Sequence, residues 1–503
     1  MAAFVTDQFR ILNASNFIDS VSDTNNSYYA FLGLPNPTSP SVGFGRTTDW
    51  DTNTPNPVDN LQYLSHYRDT SLFGKKITES NVVRVVRKID WTLNNAYDMY
   101  RHDYSVDNQA PVSKAYRLYD ANYYVITSAF RVYICISNGS SGNIDGVTTG
   151  PQKSTVEPSQ TTPGRFETSD GYEWLYLLSI TPADIIKFDS TEYIPVPNNW
   201  DTNIENQPVY EAGDNGQQIK KVYIENGGVG FTTGTASILG DGSGGIVQID
   251  TTNGSISNVT ISDGGSGYTY GIVDLSSFTG TGAKLIPIIP PSTGHGRDIY
   301  QELGTDKILL YARFDDSDRD FPVTTQFSQI GIIKNPQEYS STSIYSANTF
   351  SSLSSAVLTT SITVNPGDGI SQDQGSGVVA KGYIASFDPD TKVLKYYQDR
   401  SLVFGNKFDQ TANANTNNLA PFISTQNISF DLGGSASIDT SVDGTSIITT
   451  GDGKLIDAGV TFTQGLSDPE INKKTGEILY IDNRPVVERD SSQKEDIKII
   501  LEF

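Results

Sequence analysis

Apolar and polar residues alternate along most of this chain. The clearest run is the C-terminal DIKIILEF. It sets Ile497, Ile499, Leu501 and Phe503 on one face and Asp496, Lys498 and Glu502 on the other. A period of two with one apolar side predicts a strand of an antiparallel sheet that has one buried and one wet face. Residues 382–397 (GYIASFDPDTKVLKYY) read as a hairpin turning at Asp388-Pro389-Asp390-Thr391. Helical periodicity is scarce. One short helix is predicted over residues 16–22 (NFIDSVS), with Phe17, Ile18 and Val21 on its apolar side. Another is predicted over 182–188 (PADIIKF), where Pro182 sits in the favoured first turn. Asn-Gly or Asp-Gly pairs begin at positions 138, 145, 170, 215, 226, 241, 253, 263, 368, 443 and 452. Such pairs supply the positive φ that tight hairpins require. The expected fold is therefore mostly β: antiparallel β-sandwich domains with few short helices, plus inserted Gly-rich β modules.

Shifts in composition divide the chain. Residues 1–210 are aromatic-rich and punctuated by proline, and are read as an N-terminal β-rich core. Residues 211–296 are dominated by Gly, Ser and Thr, and are read as an inserted β module. Residues 297–340 return to dense apolar strands such as KILLYARF. Residues 341–465 are again rich in Ser, Thr and Asn, a second inserted module, and 466–503 supply C-terminal core strands. The Gly-rich region carries a two-copy repeat. Asn226-GGVGF returns as Asp263-GGSGY, and Gly242-SGG returns as Gly280-TGA. Two copies are too few for a solenoid.

Composition narrows the function classes. With 58 acidic against 35 basic residues, the 503-residue chain has a net charge of −23, which repels a phosphate backbone and argues against nucleic-acid binding. The basic cluster at 84–88, in VVRVVRKIDW, reads as a strand with one solvated face. No stretch reaches the roughly 18 apolar residues of a membrane span, and the first residues, MAAFVTDQFRILNAS, do not read as a signal peptide. A single cysteine, Cys135, excludes an intrachain disulfide and fits a reducing cytosol. Inside VYICIS it reads as a buried thiol on a strand.

No pattern of catalytic or metal-binding residues stands out. His66, His102, His295 and Cys135 lie far apart, against the close ligand spacing of zinc sites. The acidic run Asp315-Asp316-Ser317-Asp318-Arg319-Asp320 places Phe321 and Phe327 where an EF-hand needs Gly and Glu. That leaves a solvated turn or a calcium site of another geometry. Gly240-Asp-Gly-Ser-Gly-Gly245 matches a dinucleotide fingerprint in letters, but a strand-like IVQID follows where a helix is needed. Thr232 and Thr269 stand where calcium-binding Gly-rich repeats carry Asp. There is no G-x-S-x-G elbow. The expectation is no enzyme, no cofactor, no metal and no small-molecule substrate.

A series of strings, taken in order, does carry a resemblance. It begins with FRILNASNFIDS and YYAFLG, then Gly45-Arg46 with Trp50, and then Asp90-Trp91 closing an alternating strand. RVYICISN at 131–138 follows, then Asp170-Gly171-Tyr172-Glu-Trp174 running on to Tyr176. Glu192-Tyr193 leads IPVP. FSQIGIIK runs into Asn335-Pro336, and GEILYID into Asn483-Arg484-Pro485. The series resembles the baseplate wedge subunit, gene product eight, of T-even-type contractile-tailed bacteriophages, and is most similar to the long version in cyanobacterial myoviruses. It covers about 1–210, 297–340 and 466–503. The two modules lie outside it, and LPNPTSPSVGF intervenes where the family has Gly-Arg directly after the first strand.

The resemblance implies a β-rich structural protein of the virion tail. Such a protein forms a homodimer in each wedge, joins other wedge proteins during assembly in the host cytoplasm, and has no catalytic residues. The matched residues are read first as fold determinants: Gly171 supplies a turn, and Trp174 and Tyr176 share one strand face. Arg484 either forms an intrachain ion pair or bridges a subunit contact. The alternative reading is a carbohydrate-binding or adhesive surface protein of a phage tail, motivated by the Gly/Ser/Thr-rich segments and the 27 tyrosines.

Overall fold

A computed structural model describes residues 5–37, 45–213, 217–315, 325–400, 420–490 and 493–503. The chain is mostly β, 42% strand against 11% helix, so antiparallel sheets and not helices set its architecture. It forms two compact units, and neither is a single stretch of sequence. The first comprises 1–17, 83–309 and 499–503, and the second 18–82 and 310–498. Residues 211–296 thus fall in the first unit and 341–465 in the second.

In the first unit, a four-stranded antiparallel sheet runs Tyr124–Ile126, Arg131–Ser137, Glu173–Ser179, Arg165–Glu167. Its side chains build an aromatic core in which Tyr123, Tyr133, Cys135, Trp174 and Trp200 are almost wholly buried. Burial pushes the Cys135 thiol pKa up, as expected of an inert core cysteine. The strand Val82–Arg87 pairs with Tyr193–Val196. It has no solvated face over residues 82–86, contrary to the sequence reading. Arg84 is 5% exposed: its guanidinium lies 4.0 Å over the Tyr300 ring and donates to Asn198 Oδ1 and Ser15 Oγ. The charge is buried because an aromatic face and two acceptors replace water.

The Gly-rich module of the first unit shows why its repeat exists. Asn226 Oδ1 accepts from Gly228 N at 2.9 Å, and Asp263 Oδ1 accepts from Gly265 N at the same distance. Gly228 and Gly265 adopt φ of +63° and +58°, a conformation that glycine adopts at little cost. The Phe231 ring covers Gly228 and Gly280, and the Tyr268 ring covers Gly265 and Gly242, so closely that a Cβ at any of the four would strike the ring. The sequence repeat is therefore a repeated aromatic-on-glycine lock. It joins Val222–Val229 to Thr281–Pro287 in one copy and Ser255–Ser266 to Ser243–Thr252 in the other.

Two of the Asn-Gly and Asp-Gly pairs make the expected two-residue hairpin turns. Asp145-Gly146 and Asn253-Gly254 both have positive φ at each position, joining Ser141–Ile144 to Val147–Thr149 and Ser243–Thr252 to Ser255–Ser266. Asn226-Gly227 and Asp263-Gly264 instead lie within strands, and their positive φ falls one residue later. The Asn215-Gly216 pair lies outside the described residues, as does the acidic run after Asp315.

In the second unit, a five-stranded sheet is ordered Thr349–Ser351, Ser71–Ile77, Tyr28–Gly33, Gln326–Lys334, Glu477–Glu488. Tyr28–Gly33, central and buried on both faces, reads as an unbroken apolar run. A seven-stranded antiparallel sheet contains the expected hairpin, Val379–Asp388 with Val393–Tyr397, whose turn is held by Asp388 accepting from Asp390 N and Thr391 Oγ1. The C-terminal strand Glu495–Glu502 alternates as expected, with Ile497 and Ile499 buried and Asp496, Lys498 and Glu502 exposed.

Helix Pro182–Phe188 forms as expected, with Thr181 Oγ1 capping Asp184 N. The first helix is longer than the sequence reading, Asp7–Ser22 in place of 16–22. Its buried stripe, Ile11, Ala14, Ile18 and Val21, begins before the Phe17 on which that reading leaned. Leu61–Asp69, Gln207–Gly213 and Ile299–Leu303 are further helices. Among the described residues, no helix is long and apolar enough to cross a membrane.

Candidate functional site

Within each unit, the strings that carried the resemblance come together. In the second unit, Gly45-Arg46 and Trp50 lead a segment that lies along the last strand of the five-stranded sheet. Trp50 is 5% exposed and its Nε1 donates to the Arg484 carbonyl at 2.7 Å. Asp51 accepts from Val486 N, and Asn483 Nδ2 donates to the Pro55 carbonyl, both at 2.9 Å. Asn483 Oδ1 accepts from Gln329 Nε2, tying in the 327–336 string. Gly45, Trp50, Asn483 and Gln329 line a small cavity of about 170 Å³. The Arg484 side chain pairs with Asp482 of its own strand, the intrachain alternative. Pro485 occupies an edge strand, where its missing N–H costs no ladder bond. Asn335, at φ +52°, accepts from Ser27 N through Oδ1 at 2.7 Å and so fastens the start of the Tyr28–Gly33 strand. The Pro336 carbonyl accepts from Tyr345 N.

In the first unit, Asp90-Trp91 and the 170–176 string meet at Ser154. Trp91 Nε1 donates to Ser154 Oγ at 3.0 Å, which donates to Asp170 Oδ2 at 3.1 Å. Asp170 also accepts from Thr155 N, Val156 N, Thr168 Oγ1 and Tyr172 N. Burial raises its carboxyl pKa, but these hydrogen bonds outweigh that and hold it below the ordinary aspartate value. Gly171, at φ +83°, makes the turn. Tyr172 stacks on Trp174 with ring centres 5.1 Å apart. Trp174 and Tyr176 point to the same face, opposite Cys135 and Tyr133, although only Trp174 is fully buried. Glu192 is exposed and its carbonyl accepts from Lys88 N, while Tyr193 opens the strand paired with Arg87.

The most concentrated chemistry lies elsewhere in the second unit. Asp69, at the end of helix Leu61–Asp69, receives Arg400 Nε at 2.9 Å, and its carbonyl accepts from Lys473 Nζ at 2.8 Å. Next to it, Asp399 receives Asn36 Nδ2 and lies 2.5 Å from His66 Nδ1. Burial pushes the Asp69 carboxyl pKa up, helped by the Asp399 charge and opposed by Arg400 and Lys473. Burial also pushes Lys473 down, to about 8, against the pull of both carboxylates. Asp69, Arg400 and Lys473 border a cavity of about 660 Å³. Asp69 stands 331 residues from Arg400 and 404 from Lys473, so no spacing motif announces the group.

His102, His295 and Cys135 do not converge. His102 Nδ1 accepts from Ile289 N, and His295 pairs with the buried Glu302. Among the described residues, no three His, Cys, Asp or Glu side chains are grouped to hold a metal. Compared with known proteins, the sequence matches no family model and no curated protein.

Proposed function

We propose that this chain is a structural subunit of the baseplate wedge of a contractile-tailed bacteriophage. In this reading it dimerises with itself and joins other wedge proteins as the tail assembles. It has no catalytic step, cofactor or small-molecule substrate, and it works by presenting rigid surfaces. The observation that supports this most is the role of the strings that carry the resemblance. Trp50, Asn483 and Arg484 brace one another, and Trp91 and Asp170 do the same through Ser154. Their polar atoms are spent on holding segments in place, as a scaffold requires. Apolar side chains suited to contacts with partners are present. Leu239 and Ile272, cross-strand neighbours in the Gly-rich module, are 49% and 63% exposed.

Light scattering on the purified chain is expected to give about twice 54.7 kDa, and gold-labelled antibody is expected to decorate the tail end of phage particles. A chain that stays monomeric at assembly concentrations, or label confined to the capsid, overturns the reading.

A further inference from the structure

The 660 Å³ cavity of the second unit lies within the size range of small-molecule sites and plays no part in the wedge reading. Its wall carries three cations, Arg400, Lys473 and Lys474, and three carboxylates, Asp69, Asp468 and Glu470. Most are already engaged. Arg400 pairs with Asp69, Lys473 donates to the Asp69 carbonyl, and Glu470 accepts from Ser351 N at 2.5 Å. A ligand with net charge of either sign would set a like charge against half of this wall, where most of the opposite charges are already engaged. A neutral, polar ligand meets no such penalty.

The rest of the lining fits a neutral polyhydroxylated ring. Tyr339 is 44% exposed and shares the cavity wall with Asp468; burial, helped by the Asp468 charge, pushes its hydroxyl pKa up, and an aromatic ring and a planar acceptor thus line the same cavity. An aromatic face packs on the C–H side of a pyranose, while a carboxylate accepts from neighbouring ring hydroxyls. Deeper in, Tyr396 and Phe422 meet edge to face at 4.8 Å and form an apolar floor. Ser467, on the wall and 8% exposed, has a hydroxyl without a hydrogen-bond partner among the described residues. From this combination we infer that the cavity is a binding site for a neutral oligosaccharide, with Tyr339 as stacking platform and Asp468 as hydroxyl acceptor. The inference stands apart from the wedge proposal, since it needs only the second unit's own geometry.

The test uses the full chain on an array of neutral gluco-, galacto-, manno- and N-acetylglucosamine oligosaccharides. Sialylated, sulfated and amino-sugar glycans serve as charged comparators, and hits are titrated by saturation-transfer NMR. Binding of at least one neutral class is expected, weakened at least about tenfold, or about 1.4 kcal/mol, by Tyr339→Ala and by Asp468→Asn. Leu432→Ser, at an exposed residue outside the cavity lining, should leave it unchanged. Thermal melts establish that each variant is folded, and if Tyr339→Ala is not, Asp468→Asn carries the result. No neutral binding up to about 10 mM overturns the inference. So does binding of charged glycans alone, or neutral binding that survives in a folded variant.

Discussion

The indole N–H of Trp50 donates to the backbone carbonyl of Arg484, 434 residues away, and so fixes a loop of the second unit to the last strand of its main sheet. Trp50→Phe removes the donor while keeping an aromatic ring, and leaves that carbonyl short of a partner. The expected loss is about 1–3 kcal/mol of stability, read as a lower urea midpoint. An unchanged midpoint would show that the contact contributes nothing to the fold.

Asp170 predicts an acid response. Its pKa is held below the ordinary 3.8, so the folded chain releases its proton more readily than the unfolded chain. The resulting stabilisation is fully present above pH 3.8 and is lost as the pH falls through the depressed value. The stability gap between wild type and Asp170→Asn should therefore be constant at neutral pH and close on acidification. A gap that widens in acid contradicts the assignment.

Lys473 predicts the opposite limb. Its pKa falls from the ordinary 10.5 to about 8 on folding, so between those values the unfolded chain binds more protons. This group alone makes the fold more stable as the pH rises through that window. Buried tyrosines such as Tyr396 and Tyr397 hold their protons longer when folded and oppose the trend above about pH 10. The difference between wild type and Lys473→Met isolates the lysine and should shift in favour of wild type from pH 8 upward. A flat difference refutes it.

The Gly-rich module offers a fourth test. Tyr268 donates to the Ile238 carbonyl and accepts from Gly245 N, bonds that Phe231 in the other copy cannot make. Tyr268→Phe is expected to cost about 1–3 kcal/mol, because two buried backbone groups lose their partner. Amide hydrogen exchange should rise at Gly245 and not at Gly228.

Several elements are legible in the sequence because the local pattern and the tertiary environment agree. Ile497 and Ile499 alternate with charged residues, and Pro182 marks a helix start. Helix Leu61–Asp69 is not legible, because its buried residues are His66, Tyr67 and Asp69 while Leu61 is 77% exposed. An apolar-periodicity argument inverts its faces. Arg84 misleads for the same reason, since the Tyr300 ring that shelters it comes from a distant part of the chain. The strings around Trp50 and Asp170 can be picked out in the sequence, but the partners that explain them cannot. The Asp69, Arg400 and Lys473 group leaves no local trace at all.

The interleaved path of the chain through its two units has a consequence for synthesis. Tyr28–Gly33 leaves the ribosome well before its neighbour Gln326–Lys334, which follows roughly 300 residues later, on the order of tens of seconds at usual elongation rates. The sheet's Glu477–Glu488 strand and the first unit's 499–503 segment are translated later still. Until Gln326–Lys334 arrives, one edge of YYAFLG pairs with Ser71–Ile77 but the other stays open, an apolar edge prone to aggregate. Producing this protein in quantity therefore benefits from a chaperone that shields that open edge until residues 326–334 have been made.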